Sequence, residues 1–493
     1  MELKIKLLKW SAGHPVAMLN QETARKIGIR TSDRISIKTL STRPREISTL
    51  ADTIKGLVKK DEIAVSSELK KRLGLDVGQK VDVNLANPPK SLIYIKKKLN
   101  KKSLSKKEIE AIMRDVVNNS LSEPEISLYI SGVHKHGLNM KETIYSINAI
   151  LKSGSTLRLR DKYVVDKHSI GGIPGNRTTP IVVPICAAAG LTFPKNSSRA
   201  ITSAAGTADV IETIADVEFS MKQLKKILKK TKGCMVWGGA LGMVPADSKL
   251  IKIEKQLNID PKSQLLASIV SKKLAVGSKY ILIDIPYGKN AKVSKSEALN
   301  LKKKFEYLGK HFHRNLKCVL TKGNQPIGCR VGPALELKDI IAILDPNQEG
   351  PQDLRKKSLF LSGELLEMTN KAKKGKGIGL AEEILSSGKA FEKFKQIIKA
   401  QNGNINRIKD AKFKHDILSK ETGKITGIHN KKINSLAKVT GCPIDKSAGI
   451  FFCAKIGDSV RKGEKILTLY AESKPRLNQA IKFYNDQKPV KIK

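Results

Sequence analysis

The start of the chain contains one sequence pattern twice, and this repeat restricts the folds open to it. Residues 22–37 read ETARKIGIRTSDRISI, and residues 68–83, at an offset of 46, read ELKKRLGLDVGQKVDV. Each copy predicts a short helix that ends at a glycine, followed by a turn and a strand with alternating apolar residues. Two such units predict a small pseudo-symmetric β-barrel over residues 1–86.

Length and composition set broad limits on the protein class. A chain of 493 residues can form several domains, each with its own core. No apolar run approaches a membrane span, and the first ten residues, MELKIKLLKW, lack the apolar region and cleavage site of a signal peptide. We therefore expect a cytoplasmic protein with no membrane partner. The six cysteines form no C-x-x-C pair, so neither a zinc site nor a disulfide framework is predicted.

The net charge is +46, from 92 lysines and arginines against 46 acidic residues. Such a field favours anionic ligands and salt-dependent binding to nucleic acid, although a lysine-rich surface on an ordinary fold gives the same count. The basic residues are spread along the chain, and aromatic residues make up only 4%, which offers little material for stacking bases. Nucleic acid is therefore expected to bind only non-specifically, through charge.

The apolar patterning changes along the chain in a way that predicts a multidomain α/β fold. Residues 103–152 have helical periodicity, and from about residue 163 to 345 strand candidates alternate with helical stretches. After Gly423 short strands and turns predominate. The predicted parts are an N-terminal β-barrel-like repeat module (1–86), a small helical domain (90–160, with a return segment 245–275), a large α/β phosphate-binding domain (161–244 and 276–420) and a C-terminal β-rich domain (421–493).

A glycine-rich loop follows the first strand candidate of the α/β region. Residues 164–180 read VVDKHSIGGIPGNRTTP. Lys167 would supply a positive charge, and Ser169 and Thr179 would supply hydroxyl donors. The Gly171-Gly172 pair would let a ligand approach the backbone closely. A Gly/Pro turn that binds nothing fits these residues equally well.

A second stretch of small and hydroxyl-bearing residues follows soon after. Residues 197–212 read SSRAITSAAGTADVIE. Short side chains let backbone N–H groups approach an oxyanion, but the same residues also permit tight packing of a helix against a strand. Two such stretches, each after apolar secondary structure, favour a shared anion site.

The second stretch matches every specified position of the signature S-[GS]-R-[GA]-[LIV]-x-x-[TA]-[GA]-G-T-x-D-x-[LIV]-E, and KHS-x-GG matches a known phosphate loop. In these residues the chain resembles the thymidine and pyrimidine nucleoside phosphorylase family. From about residue 90 onward, further matches follow in collinear order: PADSKL (245–250), ASIVSKKLAVG (267–277) and GNQPIGCRVGPALE (323–336). In this family, phosphate attacks the anomeric carbon of a nucleoside and the base leaves.

Two departures from the bacterial members point to a branch of the family. The pyrimidine-specific enzymes read the base with an Arg in an L-R-D context, whereas residues 250–255 here read LIKIEK, with Ile253 at that position. Isoleucine cannot replace bidentate hydrogen bonds to a base. The N-terminal module is also absent from the bacterial enzymes. Both features resemble the archaeal-type AMP phosphorylase branch, which converts AMP, and other nucleoside 5′-monophosphates such as CMP and UMP, to free base and ribose 1,5-bisphosphate.

The resemblance implies a site for phosphate, AMP and a proton donor, with inorganic phosphate as co-substrate and no cofactor or metal. The implied phosphate ligands are Lys167, Ser169, Ser197, Thr207 and Thr179. The implied AMP ligands are Gly172, Ser198, Arg199, Ala200, Ile201, Thr202, Ser203, Thr207, Ser268 and Lys292. His168 and Lys272 are expected to face the nucleoside. Arg177, beside an extra residue in the loop, is our hypothesis for what distinguishes nucleotide from nucleoside.

Asp260 is implied as the catalytic proton donor, since protonating adenine makes it a better leaving group. Its other interpretation is a helix N-cap, with Pro261 at the first helical position. Lys292, implied as an AMP ligand, could equally be a surface lysine with no ligand, like the nearby Lys289.

Several broader alternatives stay open at this point. A pyrimidine nucleoside phosphorylase is the nearest alternative in function. Phosphoribosyl transfer on a related fold should need magnesium and an acidic motif that the sequence lacks, and a basic nucleic-acid-binding protein is more remote. We expect a homodimer or larger homo-oligomer, with the active site in the cleft between the helical and α/β domains.

Overall fold

The computed structural model describes residues 1–8, 16–200 and 203–493. These residues form two compact units. Unit 1 comprises Met1–Gly154 and Val244–Ser271, and unit 2 comprises Ser155–Met243 and Lys272–Lys493.

Unit 1 begins with a closed barrel of six strands. The strands are Glu2–Leu7, Ala17–Asn20, Arg34–Thr39, Glu46–Ile54, Glu62–Val65 and Lys80–Leu85. Around the barrel their order is first, fifth, second, fourth, third and sixth, and the sixth strand closes the barrel by pairing antiparallel with the first.

Both copies of the repeat form a helix followed by a strand. The helices are Gln21–Lys26 and Ser67–Leu73, and the second is followed by Gly74 at a left-handed φ of 67°, a conformation that suits glycine. The two repeat strands pair antiparallel, with Ile37 opposite Val83. Both side chains are fully buried inside the barrel, because alternate residues of a strand point to the same face.

The rest of unit 1 is helical. Its helices are Ser91–Leu99, Lys106–Asn118, Glu123–His136, Met140–Lys152 and Pro245–Leu257, together with the beginning of Lys262–Ala275. The sequence SLSKKE predicts a capping box, and the Ser105 N–H does donate to Glu108 Oε2 at 2.6 Å. A buried ion pair joins Lys98 Nζ to Glu142 Oε1 at 3.0 Å and ties two of these helices together.

Unit 2 contains parallel strands of the α/β type. Strand Tyr280–Tyr287 lies between Val165–Ser169 and Asn315–Lys322, parallel to both. Strands Phe193–Ser197 and Gly233–Trp237 form a parallel pair, and an isolated parallel bridge from Val164 to Thr192 links the start of that pair to the three-stranded sheet. The predicted alternation of strands and helices is therefore present.

Helices cover the strands of unit 2 and bury a large apolar core. They are Thr179–Ala188, Thr207–Ile211, Met221–Thr231, Lys295–His311, Pro333–Leu344, Gln352–Met368, Gly377–Ser386 and Lys389–Ala400. Among the described residues, no helix combines the length and apolar character needed to cross a membrane.

The C-terminal part of unit 2 combines strands with two helices. The strands are Phe413–Leu418, Gly423–Ile428, Gly449–Phe452, Ser459–Val460, Lys465–Ala471 and Val490–Ile492. The helices are Asn430–Thr440 and Lys474–Gln487, so this part is α+β and not built of strands alone. Phe413–Leu418 pairs with Lys465–Ala471, so the strands of this part begin before residue 421.

Candidate functional site

The candidate site of unit 2 lies where its parallel strands end. The glycine loop (residues 170–178) follows strand Val165–Ser169, and the hydroxyl loop (residues 198–206) follows strand Phe193–Ser197. Carboxyl ends of parallel strands meet at one edge of a sheet, which is the usual place for ligands in this class of fold. Two residues of the hydroxyl loop, Ile201 and Thr202, lie outside the described residues.

Lys167 is buried, with 1% of its surface exposed, and its ammonium group donates a hydrogen bond to Thr178 Oγ1. Burial lowers the pKa of Lys167 to about 7, although the nearby Asp284 carboxylate opposes the shift. Thr179 is also buried but begins the helix Thr179–Ala188. The hydroxyl in contact with Lys167 thus belongs to Thr178, one residue before the predicted ligand.

Lys167 is one of several buried charges near the strand ends. Asp166 accepts ion pairs from Lys273 at 2.9 Å and Lys195 at 3.2 Å, and Lys195 Nζ also donates to the Lys167 carbonyl at 2.7 Å. Asp284 pairs with Lys357 at 2.9 Å. This buried set holds more lysines than carboxylates. Its members are Lys167, Lys195, Lys273, Lys357, Asp166 and Asp284. An anionic ligand would therefore offset buried positive charge.

Two predicted hydroxyls differ in what they contact. Ser169 Oγ accepts hydrogen bonds from Asn176 Nδ2 at 3.3 Å and from the Gly171 N–H at 3.4 Å. Ser197 Oγ is buried and has no hydrogen-bond partner among the described residues. A buried hydroxyl without a partner is costly, so a ligand oxygen at Ser197 would remove a penalty.

Gly172 and Lys292, two of the residues implied as AMP ligands, lie close together. A Cβ added at Gly172 would stand 3.1 Å from Lys292 Cβ, and the φ of Gly172 is +91°. Lys292 Nζ also donates to the Ile170 carbonyl at 3.4 Å. The close approach and the positive φ together require glycine at position 172.

Asp209 folds the hydroxyl loop back on itself. Its Oδ2 accepts hydrogen bonds from the N–H groups of Ala200, at 2.6 Å, and Gly206, at 2.7 Å. A side chain at Gly206 would collide with the Ser198 carbonyl, because an added Cβ would lie 2.5 Å from that oxygen. Ser203 Oγ donates to the Ala205 carbonyl at 2.7 Å. The loop is therefore built around one buried carboxylate.

The Arg199 side chain binds acidic residues of the protein. It donates to both oxygens of Glu212 at 2.6 Å and to Glu218 at 3.1 Å, and its guanidinium group lies 4.7 Å from the Trp237 ring centre. Arg199 holds the pKa of Glu212 down at about 2. Because the Arg199 guanidinium group already binds these carboxylates, we expect Arg199 to contact a ligand through its backbone.

Arg177 joins the two loops. Its guanidinium group donates to the Ala205 carbonyl at 2.6 Å, to Glu336 Oε2 at 2.6 Å and to Thr207 Oγ1 at 3.4 Å. Thr207, a predicted ligand of both phosphate and AMP, is thus held beside the glycine loop.

His168 and Lys272 lie in the same basic surroundings. Burial, reinforced by Lys273, Lys195 and Lys272, keeps the pKa of His168 well below its usual value, so the imidazole is neutral near pH 7. Lys272 is 9% exposed, on helix Lys262–Ala275.

Two further predicted residues, Ser268 and Asp260, belong to unit 1. Ser268 is buried on helix Lys262–Ala275, and Asp260 is half-buried just before that helix. The Pro261 carbonyl accepts from the Leu265 N–H at 2.9 Å. Since an N-cap carbonyl makes the first bond of its helix, Pro261 has the N-cap position and Asp260 precedes it.

Sequence reasoning missed several residues that support the site. Asp166 and Lys273 are the direct neighbours of predicted residues in the motifs VVDKHS and SKKLA, so their charge was a signal that could have been used. Thr178 likewise adjoins the predicted Thr179. Asp284 and Lys357 had no such signal, since these two partners are distant from each other in the sequence.

Comparisons with known proteins cover most of the chain. Residues 93–154 match the helical bundle domain and residues 161–391 the a/b domain of the glycosyl transferase family, and residues 424–491 match the pyrimidine nucleoside phosphorylase C-terminal domain. The AMP phosphorylases of Thermococcus kodakarensis and Pyrococcus furiosus are each 42% identical over 497 residues, covering 100% of this chain and 98% of theirs. The AMP phosphorylase of Methanococcus aeolicus is 41% identical, covering 99% of this chain.

A solved structure shares the fold at lower similarity. Anthranilate phosphoribosyltransferase from Thermus thermophilus has a TM-score of 0.52 and 17% identity, covering 63% of this chain and 99% of that one.

The fold and the matched domains therefore define a glycosyl transferase of the nucleoside phosphorylase type. Within that class, the chain belongs to the AMP phosphorylase branch of the pyrimidine nucleoside phosphorylase family.

Proposed function

We propose that the protein catalyses phosphorolysis of AMP to adenine and ribose 1,5-bisphosphate in nucleotide catabolism. An oxygen of inorganic phosphate forms a bond to C1′ of the ribose. The C1′–N9 bond breaks, its electron pair leaves with adenine, and adenine takes up a proton. Relatives that are named AMP phosphorylases over their full length support this proposal.

The observation that carries the proposal is the unsatisfied buried polarity at the strand ends. The Ser197 hydroxyl has no partner among the described residues, and Lys167 lies in a buried set of four lysines and two carboxylates. A phosphate dianion supplies acceptor oxygens and negative charge together. We assign phosphate binding to Lys167, Ser169, Ser197 and Thr207, with Thr179 as a further candidate and Thr178 as the hydroxyl that orients Lys167.

AMP binding is assigned to the residues around the close approach of Gly172 and Lys292. The hydroxyl loop would supply backbone N–H groups to a second phosphate, and Ser268 a hydroxyl. The residues so assigned are Gly172, Ser198, Arg199, Ala200, Ile201, Thr202, Ser203, Thr207, Ser268 and Lys292. His168 and Lys272 face the nucleoside in this proposal.

Asp260 is proposed to protonate the departing adenine. A carboxyl group can act as a general acid when it is positioned to reach the leaving nitrogen, and such a transfer contributes about 10²–10⁴-fold to a rate. This role is supported by the half-buried position of Asp260 directly before helix Lys262–Ala275, which also carries Ser268, a proposed AMP ligand.

Other nucleoside monophosphates, such as CMP and UMP, belong to the proposed substrates. A pyrimidine nucleoside phosphorylase is the second candidate, and Ile253 argues against it. Ile253 is 2% exposed on helix Pro245–Leu257 and cannot hydrogen-bond a base. We further propose a cytoplasmic homo-oligomer that needs no cofactor and binds nucleic acid only through charge.

The test is to incubate the pure protein with AMP, with and without phosphate, and to measure free bases by chromatography. Phosphate-dependent release of adenine is expected, and it should persist in EDTA. Release of thymine from thymidine, without adenine from AMP, would instead identify the pyrimidine enzyme.

A further inference from the structure

We propose that Asn434, on helix Asn430–Thr440 of the C-terminal part, is a positioning residue that holds the glycine loop and the hydroxyl loop in register. The inference deepens the proposed function and rests on it, because these two loops are the proposed phosphate and AMP site. It gives the C-terminal part a direct role in that site.

Asn434 lies on the buried side of helix Asn430–Thr440. Ile433, Leu436 and Ala437 are buried in the core of the C-terminal part. Asn430 and Asn434 are one helical turn apart and therefore share a face. Asn430 is fully buried and Asn434 is 5% exposed. Two buried amides on one face of a short helix are costly unless both are hydrogen-bonded.

Asn434 bonds to one backbone group in each loop. Its Oδ1 accepts a hydrogen bond from the Ala204 N–H at 3.2 Å, and its Nδ2 donates to the Gly172 carbonyl at 3.5 Å. The orientation of the amide follows from its partners, since a backbone N–H can only donate and a carbonyl can only accept. Ala204 itself packs in the same apolar core as Ile433. One side chain thus couples the hydroxyl loop to the glycine loop.

Asn430, one turn earlier, connects the helix to two further loops through its amide nitrogen. Its Nδ2 donates to the carbonyls of Asn290 and Gly323, both at 3.0 Å. Asn290 is two residues before Lys292, and Gly323 directly follows strand Asn315–Lys322. Asn290 Nδ2 donates in turn to the Ile428 carbonyl at 3.1 Å. The helix therefore contacts the loops that follow four strands of unit 2.

These bonds affect function because loop geometry sets phosphate binding. The loops carry ligands from separate strands, and a displacement of about 1 Å in such a constellation can cost ~10²-fold in activity. Asn434 hydrogen-bonds to a backbone group of each of the two loops, so we expect it to act through the loops. Its loss should loosen the pairing of the two loops and so displace Ser169 and Ser197, the proposed phosphate ligands that directly precede them. Phosphate binding should weaken together with AMP binding, while the reaction at saturating substrates is affected less.

The decisive variant is Asn434→Leu, which keeps the approximate volume and removes both hydrogen bonds. Ser435→Ala, at the exposed neighbouring position on the same helix, is the matched control. For Asn434→Leu we expect a rise of about tenfold in the KM for phosphate, with kcat changed by less than about threefold. Ser435→Ala should match the wild type in both constants. An unchanged phosphate KM in folded Asn434→Leu would overturn the inference.

A second variant is needed in case Asn434→Leu does not fold, and a binding measurement is needed in case the protein does not turn over AMP. If Asn434→Leu does not fold, Asn434→Ala, which adds no bulk, is judged by the same criterion. Calorimetric titration with inorganic phosphate, well below the unfolding temperature, tests loop positioning without turnover. If the wild type binds phosphate but releases no adenine from AMP, the proposed function fails. Weaker phosphate binding by the variant would still support the inference, and equal binding would overturn it.

Discussion

Arg177 Nε lies 2.6 Å from Glu336 Oε2, although the two residues are 159 positions apart in the sequence. Burial raises the pKa of Glu336, and the Arg177 charge opposes this rise. The other guanidinium donors reach Ala205 and Thr207. Because each of the three guanidinium nitrogens of Arg177 already has a protein acceptor, the contacts favour a role in holding the two loops together. They argue against the hypothesis that Arg177 selects nucleotide against nucleoside.

We expect Arg177→Ala to destabilise the protein and to lower activity on AMP and adenosine by the same factor. Removing one partner of a buried pair leaves an uncompensated charge, which typically costs about 3–5 kcal/mol. Urea unfolding measures the first effect, and the ratio of kcat/KM for the two substrates measures the second. A selective loss of AMP activity would restore the hypothesis that Arg177 discriminates between them.

A double variant shows how much of the stability lost in Arg177→Ala comes from leaving the Glu336 charge unpaired and how much from losing the contacts of Arg177. Arg177→Met combined with Glu336→Leu leaves neither charge, so it should recover much of the stability lost in Arg177→Ala. If the double variant is as unstable as the sum of its single variants, the pair does not act as a unit.

The lowered pKa of Lys167 predicts a specific pH dependence of stability. Its pKa falls from 10.5 in the unfolded chain to about 7 in the fold, so between these values the unfolded state binds more protons. The free energy of unfolding without phosphate should therefore rise from about pH 7 toward pH 10, relative to Lys167→Met.

Phosphate should weaken this dependence, because a bound anion favours the charged lysine. Urea unfolding at several pH values, with and without phosphate, measures both slopes. Identical slopes for the wild type and Lys167→Met would show that Lys167 keeps an ordinary pKa in the fold.

Lys292 and Lys289 form a matched pair for testing a predicted AMP ligand. Lys292 packs against Gly172 and reaches the Ile170 carbonyl, whereas Lys289 is exposed. We expect Lys292→Met to raise the KM for AMP by about 10- to 150-fold, in keeping with about 1.5–3 kcal/mol for a charged hydrogen bond. Lys289→Met should have no effect. Equal behaviour of the two variants would make Lys292 an ordinary surface lysine.

Asp260→Asn tests the proposed proton donor. The amide cannot give its proton to adenine, so kcat should fall by about 10²–10⁴-fold while AMP binding persists. Asp486→Asn, at an exposed carboxylate on helix Lys474–Gln487, controls for the loss of one charge. Rapid-quench turnover and equilibrium binding of AMP are the measurements. Unchanged turnover in Asp260→Asn would remove Asp260 from the reaction.

Local pattern was enough where neighbours in sequence determine the structure. The alternation in residues 22–37 and 68–83 identifies the strand faces that bury Ile37 and Val83 in the barrel. The match of residues 197–212 to a known signature identified the family. In helix Asn430–Thr440 the buried residues Ile433, Leu436, Ala437 and Thr440 have helical spacing, so the sequence does carry a local signal for this helix.

Long-range pairing explains what the sequence could not provide. Asp284 meets Lys357, and Asn434 meets Gly172, across at least 70 intervening positions. The residues next to Asp284 or Asn434 in the sequence do not indicate which distant residue it contacts. Such contacts need the chain path in space, which periodicity and turn signals do not determine.

The most direct test of the account follows the phosphate itself. AMP is incubated with isotopically labelled inorganic phosphate, and the products are separated and analysed. The account predicts one adenine for each labelled phosphate consumed, with the label at position 1 of ribose 1,5-bisphosphate, and no comparable cleavage of thymidine. Adenine release without phosphate, or faster release of thymine from thymidine, would contradict it.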